Sequence, residues 1–258
     1  MPARHARPEP ARRGEREVRA PRSGSVRGLV VTKLLALLLL FGASGLLYHV
    51  AASDGFRISS VVVTGTRLLS DREVEATAAV SGINIFWLRQ EEVARRLQAL
   101  PAIESVQAGA YLPNRYEVRI AERTPVAGWI RGGATWLVDA EGRALRSVDA
   151  PPSLPTIRDA DPTPLPTGTA VDRGALATLF RLQEVLPRVA GLSAREFEYS
   201  ADAGVSVLTD AGVRVVFGRG EDLDWKVTAL VAVRRELERQ GQRAELIDVR
   251  FKDRPYVR

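Results

Sequence analysis

Ser105–Ala121 reads SVQAGAYLPNRYEVRIA. Val106, Ala108, Ala110 and Leu112 alternate with polar or small residues, Leu112-Pro113-Asn114-Arg115 turns the chain, and Tyr116, Val118 and Ile120 then alternate with Glu117, Arg119 and Ala121. Period-two alternation on both sides of a turn predicts two strands of a hairpin with one apolar face. A lone hairpin is marginal in water, so that face needs a cover. The residues just upstream supply it. Ser70-Asp71-Arg72-Glu73 is a capping box opening a short helix that ends near Gly82. Glu91–Leu100 predicts a second helix with Val93, Leu97 and Leu100 on one face and Pro101 as its stop. Phe56–Thr64 carries Val61-Val62-Val63, ends at Gly65 and reads as a further strand. The order strand, helix, helix, strand, strand predicts a three-stranded sheet with two helices on one face.

Upstream of that unit stands Leu34–Ala52, LLALLLLFGASGLLYHVAA, 19 residues without a formal charge. As a helix it is about 28 Å long, close to the ~30 Å hydrocarbon core of a bilayer. Leu29–Thr32 lengthen it, and Lys33 can snorkel to the headgroups. Before it, residues 1–27 hold eight Arg and three Glu, with Pro2, Pro8, Pro10 and Pro21 and almost no large apolar side chain. That composition predicts a disordered basic tail. The reading is an uncleaved anchor over 29–52 with residues 1–28 kept in the cytoplasm by the positive-inside rule. Val50-Ala51-Ala52 looks like a small-residue cleavage site, so a cleaved signal peptide is the rival reading.

Of the net charge of +6, residues 1–27 carry +5 and Lys33 the remaining one, while residues 53–258 hold 28 basic and 28 acidic residues. A nucleic-acid reading needs a basic face on the folded part, and neutrality there argues against it.

Downstream, a second unit is expected from Thr124-Pro125 to the end. Trp129-Ile130 and Thr135–Val138 read as short strands, with Asp139-Ala140-Glu141-Gly142 as a turn. Residues 149–168 are proline-rich and read as irregular. Asp172 caps a helix with a stripe of Leu176, Leu179, Phe180 and Leu186, ended by Pro187. Glu196–Tyr199, Val205–Leu208 and Val213–Phe217 read as strands. A long helix follows over Leu223–Gln240, with Gly241 behind it and an outward Arg234–Glu238 pair. In the final strand, Ile247, Val249 and Phe251 are expected on one face and Asp248, Arg250 and Lys252 on the other. The fold class is thus α+β: one transmembrane helix, a β-α-α-β-β domain over 55–123 that should fold alone, and a mixed β-domain with two helices over 124–258.

The chemistry of catalysis is mostly missing. There is no cysteine, which excludes disulfides, thiolate zinc sites and a cysteine nucleophile. The two histidines, His5 and His49, precede the folded part, so a Ser-His-Asp triad has no base there. None of Lys33, Lys226 and Lys252 completes a Ser-x-x-Lys motif, and there is no phosphate loop. Gly218-Arg219-Gly220 before a helix half-matches a dinucleotide loop but lacks its third glycine, and reads as a strand-to-helix turn. Glu221, Asp222 and Asp224 read as acids placed for the helix dipole rather than as a metal cluster. No cofactor, metal or small-molecule substrate is expected. The residues alone lead to a membrane-anchored binding module.

The order of its pieces goes further. Val62-Val63-Thr64-Gly65 followed by Leu68-Leu69-Ser70, then Tyr111-Leu112-Pro113-Asn114 leading into Glu117–Ala127, Leu137–Gly142, Leu154-Pro155-Thr156-Ile157 and Ile247–Phe251 resemble, in that order, the FtsQ/DivIB family of bacterial cell-division proteins. The first unit resembles a POTRA domain. The resemblance implies a non-enzymatic divisome scaffold that binds small bitopic coiled-coil proteins, FtsB/DivIC-like and FtsL-like, and helps coordinate septal peptidoglycan synthesis. It implies binding along the last strand of the second domain by strand addition, which carries over to Phe251, with Lys252 and Asp253 beyond it, and to Arg219 as a partner for acids. It also implies that longer tail contacts of the family are missing after Arg258. Two other readings stay open at this stage: a transport-associated POTRA chaperone and a membrane-anchored cell-wall enzyme.

Overall fold

The structure is a computed structural model that describes residues 26–149, 153–251 and 256–258. The basic tail up to residue 25 lies outside them. Two compact units result, residues 1–53 and 54–258. In the first, α1 (Val26–Ala51) is one helix, of which Gly28–Ala51 is apolar and long enough to cross a bilayer. Its described side chains are almost all exposed, which suits a lipid environment and not a protein core.

The second unit begins with β1 (Ser60–Thr64), α2 (Asp71–Ala78), α3 (Gln90–Gln98), β2 (Ile103–Tyr111) and β3 (Arg115–Glu122). The sheet order is β1-β3-β2, with β1 parallel and β2 antiparallel to β3. This is the α+β, POTRA-type arrangement that the sequence predicts. Ser70 caps α2 by accepting from the Glu73 N–H, as the capping box requires. Val74 and Ala78 of α2 and Val93 and Leu97 of α3 pack on Tyr116, Val118 and Ile120. Val106, Ala108 and Ala110 flank that core; Leu112 does not join them but stands exposed at the hairpin tip. Residues 54–56 form a 3-10 turn, so the first strand is shorter than Phe56–Thr64.

Among the described residues the larger sheet has nine strands. They are β4 (Ala127–Arg131), β5 (Ala134–Val138), β6 (Ala144–Val148), β7 (Thr156–Asp159), β8 (Ala194–Ser200), β9 (Gly204–Thr209), β10 (Arg214–Gly218), β11 (Leu246–Asp248) and β12 (Tyr256–Val257). Their spatial order is β12-β11-β10-β9-β8-β7-β4-β5-β6. Two helices cross between parallel neighbours: α4 (Arg173–Val185) links β7 to β8, and α5 (Leu223–Gln240) links β10 to β11. Leu176, Leu179 and Leu182 of α4 and Leu223, Val227 and Leu230 of α5 share one core with Ile157, Val207, Val215, Phe217, Ile247 and Val249.

Four sequence expectations are corrected here. The stretch 149–168 is not wholly irregular, because Thr156–Asp159 forms β7 between two parallel neighbours. Ala144–Val148 is an additional strand. Phe180 is on the outer side of α4, and Leu182 takes its inward place. Pro187 does not end the helix; a π-helical turn over Leu186–Ala190 carries the chain on to Gly191.

The two sheets of this unit are joined by packing as well as by chain. Leu145 of β6 is buried in the core of the three-stranded domain. Next to it the Arg146 guanidinium donates to the Leu68 carbonyl. The Glu122 carboxylate closes the same corner by accepting from the N–H groups of Arg67, Leu68 and Leu69, at 2.9, 2.6 and 2.9 Å. Leu145→Ala leaves a cavity at this junction, and should lower the unfolding free energy by about 2–5 kcal/mol, read as a reduced denaturant midpoint at unchanged slope.

Candidate functional site

The end of the large sheet formed by β10, β11 and β12 holds the residues singled out in the sequence. Parallel pairing aligns Arg214, Val215 and Val216 with Leu246, Ile247 and Asp248. Odd-numbered residues of the last segment face β10: the Glu245 carbonyl accepts from Arg214 at 2.9 Å, and the Val249 N–H donates to Val216 at 3.0 Å. Even-numbered residues face β12, where Leu246 and Arg258 exchange both backbone hydrogen bonds, at 3.1 and 3.0 Å. β11 is therefore not the edge that the sequence suggests. β12 covers it, and β12 is the end strand among the described residues. In an antiparallel ladder the backbone groups alternate in direction, so the N–H and C=O of Val257 point away from β11.

The expected alternation of Ile247, Val249 and Phe251 stops after Val249. Ile247 and Val249 are buried, whereas Phe251 is 62% exposed. The cause is a tight turn built by Asp248. Its carboxylate accepts from the Arg250 backbone N–H at 3.0 Å and from Arg250 Nε and Nη2 at 3.0 and 2.7 Å. Burial opposes the Asp248 charge, but these Arg250 contacts outweigh it and hold the carboxyl below the usual range. The Arg250 guanidinium also lies 5.4 Å from the Phe251 ring centroid. Lys252 and Asp253 lie outside the described residues.

Arg219 is exposed in the loop between β10 and α5. The loop is fixed at three points. Gly218, at φ +73°, has no room for a side chain, since a Cβ would come within 2.9 Å of Arg250 Cγ. Gly220 is pressed against Thr178 of α4, where a Cβ would meet Oγ1 at 2.5 Å. The buried Lys226 ammonium donates to the Arg219 carbonyl at 2.8 Å. Arg219 and Phe251 are thus each one residue from the Gly218–Arg250 contact, so the structure puts them at one end of the sheet.

Beside this loop a cleft of about 1000 Å³ opens between the N-termini of α4 and α5, lined by Asp172, Arg181, Tyr199, Arg219 and Trp225. Asp172 caps α4 through the Ala175 N–H at 3.0 Å and accepts from the Tyr199 hydroxyl at 2.8 Å. Burial raises its carboxyl, but those donors, the Gly174 N–H and the Arg219 charge together carry it below the ordinary value. Burial, then the Asp172 carboxylate, push Tyr199 up to about 12. Asp224, one of the three acids before α5, accepts from Arg181 at 3.0 Å and so ties α5 to α4. These are structural bonds at a helix junction, and the three acids show no common focus.

A family model for the POTRA domain, FtsQ-type, matches residues 56–123, and one for cell division protein FtsQ/DivIB, C-terminal, matches residues 127–250. The chain is 30% identical over 211 residues to the cell division protein FtsQ of Chloroflexus aurantiacus, covering 81% of this chain and 76% of that one. The chain belongs to the FtsQ/DivIB family. It is similar as well to the cell division proteins FtsQ of Myxococcus fulvus, 28% identical over 97% of this chain and 88% of that one, and of Streptomyces venezuelae, 30% identical over 90% and 85%. Membership makes this a cell-division protein with a protein–protein interaction role in the divisome, and with its apolar helix suggests membrane anchoring.

The sequence reading missed β12, the Asp248–Arg250 clamp and Lys226. Asp248 and Arg250 are two apart with opposite charge, a pattern that a strand reading assigns to a solvated face. The clamp has a pH signature. Unfolded aspartates titrate near ~3.9. Asp172 and Asp248 are held lower in the fold, so their charged forms contribute stability above that value and lose it as pH falls through the folded values. The denaturant midpoint should fall below about pH 4, and Asp248→Asn should flatten part of that fall while leaving the rest to Asp172 and to Asp161, whose carboxylate accepts from the Thr163 N–H and is likewise held low.

Proposed function

We propose that this protein is a non-enzymatic divisome scaffold that captures a small bitopic coiled-coil partner, of the FtsB/DivIC or FtsL type, by adding a strand of the partner to β12. The basic tail lies in the cytoplasm, α1 crosses the membrane once, and residues 53–258 lie outside, enriched at the division septum. The role is to hold partners in register so that septal peptidoglycan synthesis is coordinated with assembly. Residues 55–123 act as one module and 124–258 as the partner-binding module.

The observation that carries this reading is the end position of β12, with β11 between it and β10, the strand that leads into the Arg219 loop. An end strand offers unused backbone donors and acceptors to an incoming chain. Here the outward pair belongs to Val257, and the side chains flanking it are of two kinds. Phe251 and Tyr256 are exposed aromatics of the sort that anchor interfaces, and Arg219 is an exposed cation on the loop after β10, next to the Gly218 that lies against Arg250. A partner segment with acids at the spacing of Arg219 and an extended apolar stretch matches this surface. Lys252 and Asp253 are assigned to the same interface from their place beside Phe251 in the sequence.

Three variants of the full chain test the proposal by titration with a soluble FtsB-like segment. Phe251→Ala should weaken binding by about 2 kcal/mol, roughly 30-fold, through loss of an aromatic anchor. Arg219→Glu should weaken it most at low salt and progressively less as salt rises, because repulsion replaces attraction and screening reduces both. Val257→Pro removes the outward N–H and leaves the inward bonds of Leu246 and Arg258 in place. It should therefore cost binding with little change in the unfolding midpoint. Full-strength binding by all three folded variants would overturn strand addition at this edge.

A further inference from the structure

Within residues 54–123 the exposed large apolar side chains are Phe86, Trp87, Tyr111 and Leu112, at 50%, 65%, 54% and 67% exposure. They come from two separate segments. Phe86 and Trp87 sit in the 3-10 turn Ile85–Trp87 between α2 and α3, whereas Tyr111 and Leu112 form the tip of the β2–β3 hairpin. Both segments are hydrogen-bonded to the same short stretch, residues 57–60. The Ile58 N–H donates to the Ile83 carbonyl at 2.9 Å, and Arg57 bridges Asn84. The Ser59 N–H donates to the Asn114 carbonyl at 3.0 Å, and Ser60 pairs with Arg115. The Phe56 ring lies 5.2 Å from Phe86, and the Arg57 guanidinium donates to the Gly82 carbonyl at 3.1 Å. Every exposed large apolar side chain of this domain therefore gathers at the end where the chain enters it.

That end is covalently close to the apolar helix. Phe56 is five residues beyond Ala51, and five residues span at most about 18 Å. Exposed aromatic rings with polar edges, among them Trp and Tyr, favour the headgroup region of a bilayer, where an apolar body and a polar rim are both accommodated. Arg89 is exposed in the same region and supplies a cation toward lipid phosphates, whereas Arg57 is ion-paired with Asp54 at 2.7 Å.

We propose that the end of the three-stranded domain bearing Phe86, Trp87, Tyr111 and Leu112 docks on the outer lipid surface of the membrane in which α1 is anchored. This rests on the anchored topology given above.

The test uses the full chain in phosphatidylcholine/phosphatidylglycerol nanodiscs whose acyl chains carry bromine near the headgroups. The protein has four tryptophans, Trp87, Trp129, Trp136 and Trp225, and none lies in α1. Bromine should quench part of the emission, and Trp87→Phe should abolish that quenched part. Tyr111→Ser with Leu112→Ser, both at exposed positions, should reduce the quenching at least twofold. A long Gly/Ser spacer inserted after Ala52 should preserve it, because docking has its own affinity and does not follow from tethering alone. Equal quenching in the parent chain and Trp87→Phe, or loss of quenching with the spacer, would overturn the proposal. A Trp87 emission change that needs a protein partner and shows no bromine quenching would also overturn it, assigning the patch to protein. Failure of the chain to co-migrate with the discs would be a different result, removing the anchor and with it the basis for docking.

Discussion

Parallel pairing of β10 with β11 is the constraint on which the distal half of the molecule depends. A parallel connection needs a crossover, and α5 is that crossover. Once the helix has covered its face of the sheet with Leu223, Val227 and Leu230, the chain must return beside β10 with Ile247 and Val249 turned into the same core. The alternate backbone groups of β11 then face outward, and the last residues fold back to satisfy them as β12. Each step moves the unused edge outward by one strand, until it lies at Val257.

The residues around that edge serve the same constraint. Gly218 closes β10 with a backbone that only glycine adopts without strain, and its bare Cα lets the Arg250 side chain lie across it. Arg250 in turn chelates Asp248, which stops the alternation and exposes Phe251. Lys226 holds the first carbonyl after β10 from inside α5. A buried ammonium is costly unless hydrogen-bonded, and here its bond fixes the backbone that presents Arg219. The proposed interface is thus assembled from the groups that end the sheet, and its charge and aromatic content follow from how the sheet ends.

Much of this was legible in the residues. The hairpin at 105–121, the capping box at Ser70 and the span of α5 with Gly241 behind it rest on local periodicity and capping, which the fold keeps. What escaped depends on contacts distant in sequence. β7 is four residues long in a proline-rich stretch and is a strand because β4 and β8 flank it. β12 is two residues long and has no periodicity to read. Leu145 belongs by sequence to the second domain, yet its side chain completes the core of the first. Phe180 and Leu182 are both apolar on one helix, and only the position of the sheet decides which is buried. Asp248 reads as a solvent-facing strand residue, and its two-residue pairing with Arg250 makes it a buried one.

The central claim is that the free edge of β12, and not another surface, receives the partner. Residue-resolved amide exchange on the full chain, with and without a soluble FtsB-like segment, tests it most directly. The account predicts that the segment slows exchange at Val257 markedly, while the amides of β11, already bonded on both sides, change little. Saturating binding with exchange at 256–258 unchanged, and new protection on another strand or on the three-stranded domain, would contradict it.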